Sequence, residues 1–265
     1  MVIIEQFIKG KSHNEGLCED AFFYNDSFIV VADGVTAKTN TLFNGETGGR
    51  AAARMVCEAV SELRPDTDVF EAVEIMTEKV GSLYGAHTEA SSAAVSVIIY
   101  SKYRGEIWSI GDCQCIINGK AFLHEKEIDR IVSDMRSLVL EIARREGASQ
   151  DELMLNDIGR EFVLPILSKQ KCFINSGGKF SYGVIDGSKV QPKDIEVHKV
   201  SSGDEVVLAS DGYPVLCATL RESEEKLENE LKINPLCDGE YRSTKGLQKN
   251  CVSFDDRTYI RFRVD

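Results

Sequence analysis

The chain has 265 residues, of which 28% are charged and 43% hydrophobic. These values are typical of a globular protein with a substantial core, and the lack of a Pro/Ser/Gly-rich linker predicts a single domain over residues 1–265. The formal net charge is -12, from 43 acidic and 31 basic residues. Nucleic acids and anionic membranes bind basic patches, so this composition argues against both as partners.

The N-terminal apolar run is too short for a secretory signal, and no stretch reaches the roughly 20 apolar residues of a membrane span. We therefore expect a cytoplasmic location. Eight cysteines without CxxC spacing, and only four histidines, argue against a zinc cluster. Most cysteines are predicted to be reduced and buried. Cys113 and Cys115 would face the same side of a strand, as core thiols in preference to a redox pair.

The first third of the chain predicts a strand, a hairpin and two helices. Turn residues and apolar runs place the strand at 2–8, the hairpin at 19–34 and the helices at 46–63 and 68–83. Pro65 would close the first helix, and Asp68 is a candidate N-cap for the second. Each helix has one apolar stripe, so each should cover one face of a sheet.

Three strands are predicted next, at 92–100, 105–112 and 113–120. Their connections are short, which predicts antiparallel neighbours, because a parallel crossover needs a dozen or more residues. Asp112 follows Gly111 at the break between two of these strands. A bulge or corner there would direct the Asp112 carboxylate into a site.

The rest of the chain predicts helices alternating with strand-like runs. The helices are predicted at 127–146, 149–165 and 219–232. The strand-like runs are at 180–187, 195–200, 204–210 and 257–264. Residues 234–250 are predicted to be irregular. Helices within 121–170 are expected to pack on a sheet in preference to forming a recognition flap. This order predicts an α+β fold, in which two antiparallel β-sheets pack as a sandwich flanked by helix pairs.

Three segments place an aspartate at or beside the end of an apolar strand. They are FIVVADG with Asp33, VVLASDG with Asp211 and SFDDRTYIRFRV with Asp255. A single Asp-Gly after a strand is more often a plain turn, but three such acids favour a shared site for hard divalent cations. Glu19 and the carbonyl of Gly34 are further candidate ligands. Two ions that share a carboxylate can lower the pKa of a water and bind phosphoryl oxygens.

Five segments resemble, in order, the motifs of the PP2C-type metal-dependent protein phosphatases: CEDAFF, VVADG, SIGDCQ, VVLASDG and FDDRTYI. Each motif is short, but the ordered set extends over nearly the full chain. The opening GKSHNEGLCEDAF is similar to a bacterial branch in which the catalytic domain stands alone. The resemblance implies a two-sheet sandwich and a binuclear Mn2+ or Mg2+ centre that hydrolyses phosphoserine and phosphothreonine. It also implies a phosphoprotein substrate and a cognate Ser/Thr kinase as partners.

The resemblance gives each acidic residue a role. By motif match, Asp33 would bridge both ions. Asp211 and Asp255 would bind the first ion, and Glu19 and the Gly34 carbonyl would bind the second. Asp20 would orient metal-bound water, and Asp112 would hold a weaker third ion together with Asp211. The metal-bridging water would attack phosphorus. This agrees with the lack of a nucleophile motif such as GxSxG in the sequence.

Two positions depart from the family pattern. Many members hold the substrate phosphate with an arginine four residues before the metal-binding glutamate, and that position is Glu15 here. An acidic group there would repel phosphate, so Lys11 or His13 would have to bind it. Some members carry a histidine general acid two residues after the bridging aspartate, where this chain has Val35. Protonation of the leaving group would then fall to metal-bound water.

Two other functions are considered. VADGVT superficially resembles the motif of aspartate-nucleophile hydrolases, but the required first aspartate is Val31, and antiparallel hairpins argue against their parallel sheet. The second alternative is a catalytically weak or inactive domain that binds a phosphoprotein or a regulatory partner. We favour the enzyme because every candidate acidic ligand is present, and acids that converge without a cation repel one another.

Overall fold

The computed structural model describes residues 1–36, 42–84 and 93–265 of the chain. Its strands are β1 (Val2–Lys9), β2 (Asp20–Tyr24), β3 (Phe28–Gly34), β4 (Leu42–Phe43), β5 (Glu46–Thr47), β6 (Val95–Ser101), β7 (Glu106–Ile110), β8 (Gln114–Ile117), β9 (Lys120–Phe122), β10 (Glu196–Lys199), β11 (Glu205–Ala209) and β12 (Arg257–Arg263). Its α-helices are α1 (Gly48–Glu62), α2 (Val69–Gly81), α3 (Glu127–Arg145), α4 (Gln150–Leu155), α5 (Ile158–Leu167) and α6 (Leu220–Ile233). Residue 92 of the predicted strand 92–100 lies outside the described residues.

Local signals placed several of these elements correctly. The Asp68 side chain accepts hydrogen bonds from Phe70 N and Glu71 N and so caps α2. Ser149 and Glu152 form the predicted capping box of α4. Such caps satisfy amide groups that the first turn of a helix leaves without partners. None of the helices in the described part of the chain has the length and apolar character needed to span a bilayer.

Two five-stranded antiparallel sheets form the centre of the molecule, in the orders β1-β12-β11-β8-β9 and β10-β7-β6-β3-β2. They pack face to face, which confirms the predicted α+β sandwich. The layer between them is apolar and includes Ile29, Val31, Ile98, Leu208 and Phe262. Both predicted core thiols, Cys113 and Cys115, are buried in this layer.

The outer face of each sheet is also covered. Phe28, Val30 and Ala32 of β3 pack with residues of α1 and α2. Successive side chains of a strand point to opposite faces, so Asp33 continues the face of β3 that is directed at the other sheet. On the second sheet, residues of β11 and β12 pack against the segment 213–220 that leads into α6. Strand alternation thus places Asp33 between the two sheets.

One predicted pairing is wrong. The runs at 105–112 and 113–120 were expected to be antiparallel neighbours, but β7 pairs with β6 and β10, whereas β8 pairs with β9 and β11 in the other sheet. Gly111, with φ +96°, lets the chain turn sharply from one sheet to the other. A short connection fixes antiparallel pairing only when both strands remain in one sheet.

Two further expectations differ from the structure. Residues 180–187 form no regular strand and contribute only the isolated bridges Ile174 to Tyr182 and Val95 to Ile185. Within the described residues, the apolar clusters around α3 contain residues of α4, α5 and loops but none of a strand. The α3 helix therefore does not pack on a sheet as expected. It packs on α5 and lies beside the cavity described below.

Candidate metal centre

Three carboxylates meet where the two sheets and their crossover come together. One oxygen from each of Asp33, Asp112 and Asp211 lies within 4.8 Å of the others. Asp33 is near the end of β3, Asp211 follows β11 in the opposite sheet, and Asp112 is at the crossover between β7 and β8. The structure thus brings together three of the predicted site residues, which are remote in sequence.

Close backbone approach fixes the chain around Asp33. A Cβ atom added to Gly34 would lie 2.5 Å from the carbonyl oxygen of Glu19, and one added to Gly49 would lie 2.6 Å from that of Val35. Gly34 N donates a hydrogen bond to Glu19 O at 3.2 Å. Asp211 N donates to Asp33 Oδ2 at 3.4 Å and so links the two sheets directly.

The three clustered carboxylates differ in their pKa. Burial raises the pKa of Asp33 and of Asp211 well above the usual range, and the neighbouring carboxylates raise both further. Asp112 is half-buried, and its partial burial tends to raise its pKa, but Lys126, with Nζ 2.6 Å from Asp112 Oδ2, outweighs this effect and lowers the pKa. A cation bound to all three would relieve the repulsion between Asp33 and Asp211. The all-oxygen donor set therefore fits Mg2+ or Mn2+.

Asp255 and Glu19 lie near this cluster but contact lysine ammonium groups. Lys11 Nζ is 3.3 Å from Asp255 Oδ1 and 3.4 Å from Glu19 Oε2. Lys245 Nζ is 2.7 Å from Asp255 Oδ2. Burial tends to raise the pKa of Asp255, but Lys245 and Lys11 together lower it to about 2. Neither Asp255 nor Glu19 belongs to the close group that the described residues form around Asp33.

The remaining predicted site residues have distinct surroundings. Asp20 is opposite Asp33 in the β2 and β3 register, and its Oδ2 accepts a hydrogen bond from Thr258 Oγ1 at 2.8 Å. Burial raises the pKa of Asp20 to about 8. His13 is exposed. Among the described residues, neither Lys11 nor His13 lines the cavity at the cluster, but Lys11 Nζ contacts Thr36 and Asp255, which do line it.

A cavity of about 600 Å³ opens over the acidic cluster. Asp33, Asp112, Asp211 and Asp255 line it together with basic residues, which are Lys126, Arg160, Lys171, Arg242 and Lys245. Sequence patterns did not point to these basic residues, because they lie beside α3, in and after α5, and in the irregular region 234–250. Their convergence depends on how α3, α5 and that region pack together. Arg160 Nη1, for example, donates to Thr244 O at 2.7 Å.

No protein-family model matches the chain, and no curated protein matches its sequence. Solved structures do match its fold. The catalytic domain of the serine threonine protein phosphatase PstP, in complex with 2 manganese ions, is 13% identical with a TM-score of 0.52, over 100% of both chains. Stp1 from Staphylococcus aureus is 13% identical with a TM-score of 0.54, over 100% of this chain and 96% of that chain.

A third similar structure is the PPM Ser-Thr phosphatase MsPP from Mycobacterium smegmatis in complex with cacodylate, 14% identical with a TM-score of 0.51 over 100% of both chains. Matches at this level of identity establish the fold. They agree with the two antiparallel sheets of this chain. The chain therefore has the fold of the PP2C-type serine/threonine phosphatases.

Proposed function

We propose that the chain is a metal-dependent protein phosphatase that hydrolyses phosphoserine and phosphothreonine monoesters. The observation that carries the proposal is the grouping of Asp33, Asp112 and Asp211 within 4.8 Å at a cavity. Support also comes from the fold, since similar structures include a phosphatase with bound manganese. Bound Mg2+ or Mn2+ would supply a water of lowered pKa and a positive charge for the phosphoryl oxygens.

The residues of the chain would perform two tasks in this reaction. Asp33, Asp112 and Asp211 would hold the metal, with Asp33 and Asp211 placed on opposite sheets. The cavity's basic side chains would attract the phosphate. They would thereby take over the role of the family's arginine, whose position is occupied by Glu15 in this chain. Lys126 and Lys245 are the nearest of them to the acids, since each pairs with an aspartate that lines the cavity.

A phosphoprotein would be the substrate, and a cognate Ser/Thr kinase would be the opposing enzyme. All eight cysteines are free thiols. Free thiols are typical of proteins in a reducing compartment, so we place the reaction in the cytoplasm.

One observation favours a second candidate function, a domain that binds a phosphoprotein or regulatory partner without turnover. Lys11 contacts Glu19 and Asp255, two of the acids that the family resemblance makes metal ligands. With Glu15 in the usual arginine position, phosphate affinity would also be lower. Such a domain would bind metal at Asp33, Asp112 and Asp211 and still hydrolyse no phosphomonoester.

Hydrolysis of p-nitrophenyl phosphate and of a phosphothreonine peptide, each measured with and without Mn2+, tests the proposal. We expect manganese-dependent turnover that Asp33→Asn and Asp211→Asn each reduce by more than 100-fold, about 2.7 kcal/mol of transition-state stabilisation. Asp26→Asn, at an exposed turn, is the matched control and should keep full activity. Bound Mn2+ without turnover in the unmodified chain would instead support the partner-binding function.

A further inference from the structure

Lys11 is held inside an acidic pocket of its own. Its Nζ lies 3.4 Å from Glu19 Oε2, 3.3 Å from Asp255 Oδ1 and 3.1 Å from Asp256 Oδ2. It also donates a hydrogen bond to Thr36 Oγ1 at 2.9 Å. An ammonium has three protons to donate, so these oxygens use its full capacity. The Lys11 side chain is 19% exposed, whereas Glu19 and Asp256 are 4% and 3% exposed.

The backbone holds Lys11 in this place. Lys11 N donates to Asp256 Oδ1 at 2.7 Å, and Glu19 N donates to Asp256 Oδ2 at 3.1 Å. One carboxylate therefore joins the start of the Lys11 loop to the start of β2. Gly10, the preceding residue, is buried, and a Cβ added there would lie 3.3 Å from Cys18 Cβ. The position of Lys11 is thus fixed by main-chain contacts as well as by charge.

A divalent ion and this ammonium would need the same oxygens. Mg2+ and Mn2+ bind carboxylate oxygens at about 2 Å, so an ion on Glu19 and Asp255 would lie next to Nζ. At so short a separation, the ion and the ammonium group would repel each other strongly, because the site is partly buried. The second carboxylate oxygen of Asp255, Oδ2, also forms an ion pair, with Lys245 Nζ at 2.7 Å.

The cluster of Asp33, Asp112 and Asp211 is different. Lys126 contacts Asp112, at 2.6 Å from its Oδ2. Asp33 and Asp211 contact each other through the Asp211 amide at 3.4 Å. No ion pair that the structure describes involves Asp33 or Asp211. These two carboxylates therefore still require a cation, whereas Glu19, Asp255 and Asp256 already share one.

We propose that Lys11 takes the place of one metal ion. The chain then binds one divalent cation at Asp33, Asp112 and Asp211, and the Lys11 ammonium supplies the positive charge at Glu19, Asp255 and Asp256. This inference rests on the proposed metal-dependent function of the same site. It changes the number of ions from the two or three that the family resemblance implies.

The test counts manganese ions per chain, by isothermal titration with Mn2+ and by native mass spectrometry of the full chain. We expect one ion in the unmodified protein and two in Lys11→Gln, which removes the charge and keeps a polar side chain. Glu19→Gln in the unmodified background should leave the count at one, and Glu19→Gln combined with Lys11→Gln should return it from two to one. Lys9→Gln, at the exposed end of β1, is the control and should bind one ion.

The outcomes separate this inference from the function on which it rests. Two ions in the unmodified chain overturn the role of Lys11 and leave the phosphatase proposal standing. No bound ion overturns the metal site itself. One ion in both the unmodified chain and Lys11→Gln also overturns the inference. Should Lys11→Gln fail to fold, Glu19→Gln decides, because loss of the single ion in that variant would place the ion at Glu19, where Lys11 is proposed to exclude it, and would overturn the inference.

Discussion

Arg136 and Asp157 form an ion pair in which the guanidinium group is completely buried. Asp157 Oδ2 accepts from Arg136 Nε at 3.0 Å and from Nη2 at 2.6 Å. The side chain of Arg136 is 0% exposed. Its Nη1 donates to the carbonyl oxygens of Cys237 and Ser243, at 3.3 and 3.0 Å. This one side chain therefore joins α3, the N-cap of α5 and the irregular region that lines the cavity.

Replacement of Arg136 should destabilise the fold strongly. Arg136→Met removes the guanidinium group from Asp157 and from the carbonyl oxygens of Cys237 and Ser243, and removal of one member of a buried pair typically costs about 3–5 kcal/mol. Urea denaturation followed by circular dichroism measures this loss. Arg145→Met removes an exposed arginine of the same helix and should change stability by less than about 0.5 kcal/mol. Equal effects in the two variants would contradict the role of Arg136.

The stability of the chain should depend on the charge of Glu224. Burial tends to raise the pKa of Glu224, but hydrogen bonds from Arg257 and Tyr213 outweigh it and lower the pKa. A lowered pKa in the folded state means that the stabilisation is complete above the unfolded value, about 4.3, and is lost as pH falls through the folded value.

Glu224→Gln should therefore lower the free energy of unfolding at pH 7 by about 1–3 kcal/mol. The difference from the unmodified chain should shrink below about pH 4, where Glu224 becomes protonated. Guanidinium denaturation from pH 7 to pH 3.5 measures it. Glu225→Gln, at the adjacent exposed position, should show little difference at any pH. A Glu224→Gln effect independent of pH would show that charge is not its cause.

The close approach of Gly34 to Glu19 should make Gly34 intolerant of a side chain. Gly34→Ala places a methyl group about 2.5 Å from the Glu19 carbonyl oxygen, so the backbone beside Asp33 must move. Overpacking of this kind costs about 1–3 kcal/mol. We expect a lower melting temperature together with weaker Mn2+ binding. Gly178→Ala, where the added atom meets open space, should change neither measurement.

Manganese should stabilise the folded chain. A ligand at 100 times its dissociation constant adds about 2.7 kcal/mol to the free energy of unfolding. Thermal unfolding with Mn2+ and with EDTA measures this gain. Asp211→Asn should remove it, because the variant lacks one of three clustered carboxylates, whereas Asp26→Asn should keep it. Equal gains in Asp211→Asn and in the unmodified chain would place the ion elsewhere.

The sequence predicted those parts of the molecule that depend on local pattern. Apolar runs that end at Asp33 and at Asp211 identified strands whose ends now meet at one cluster. Gly111 indicated a corner, and Asp112 lies at it. A turn residue and an alternating pattern act within a few neighbours, so they can be recognised without knowledge of the fold.

The parts that were missed depend on packing between distant segments. Nothing near Lys126 in sequence indicates that it faces Asp112, and nothing near Lys245 indicates Asp255. The passage of the chain from one sheet to the other between β7 and β8 likewise has only Gly111 as a local sign. Ion pairs and sheet membership of this kind are set by the whole fold, which a periodicity cannot encode.

The placement of Asp33 and Asp211 on opposite sheets has a consequence for substitutions far from either residue. The separation of the two carboxylates is set by the thickness of the apolar layer that contains Leu208 and Ile98. A smaller side chain at Leu208 would alter that thickness without touching an acidic group. For the proposed metal centre, divalent-cation affinity would therefore report on core volume, and selection on ion binding would restrict which apolar residues the interior accepts.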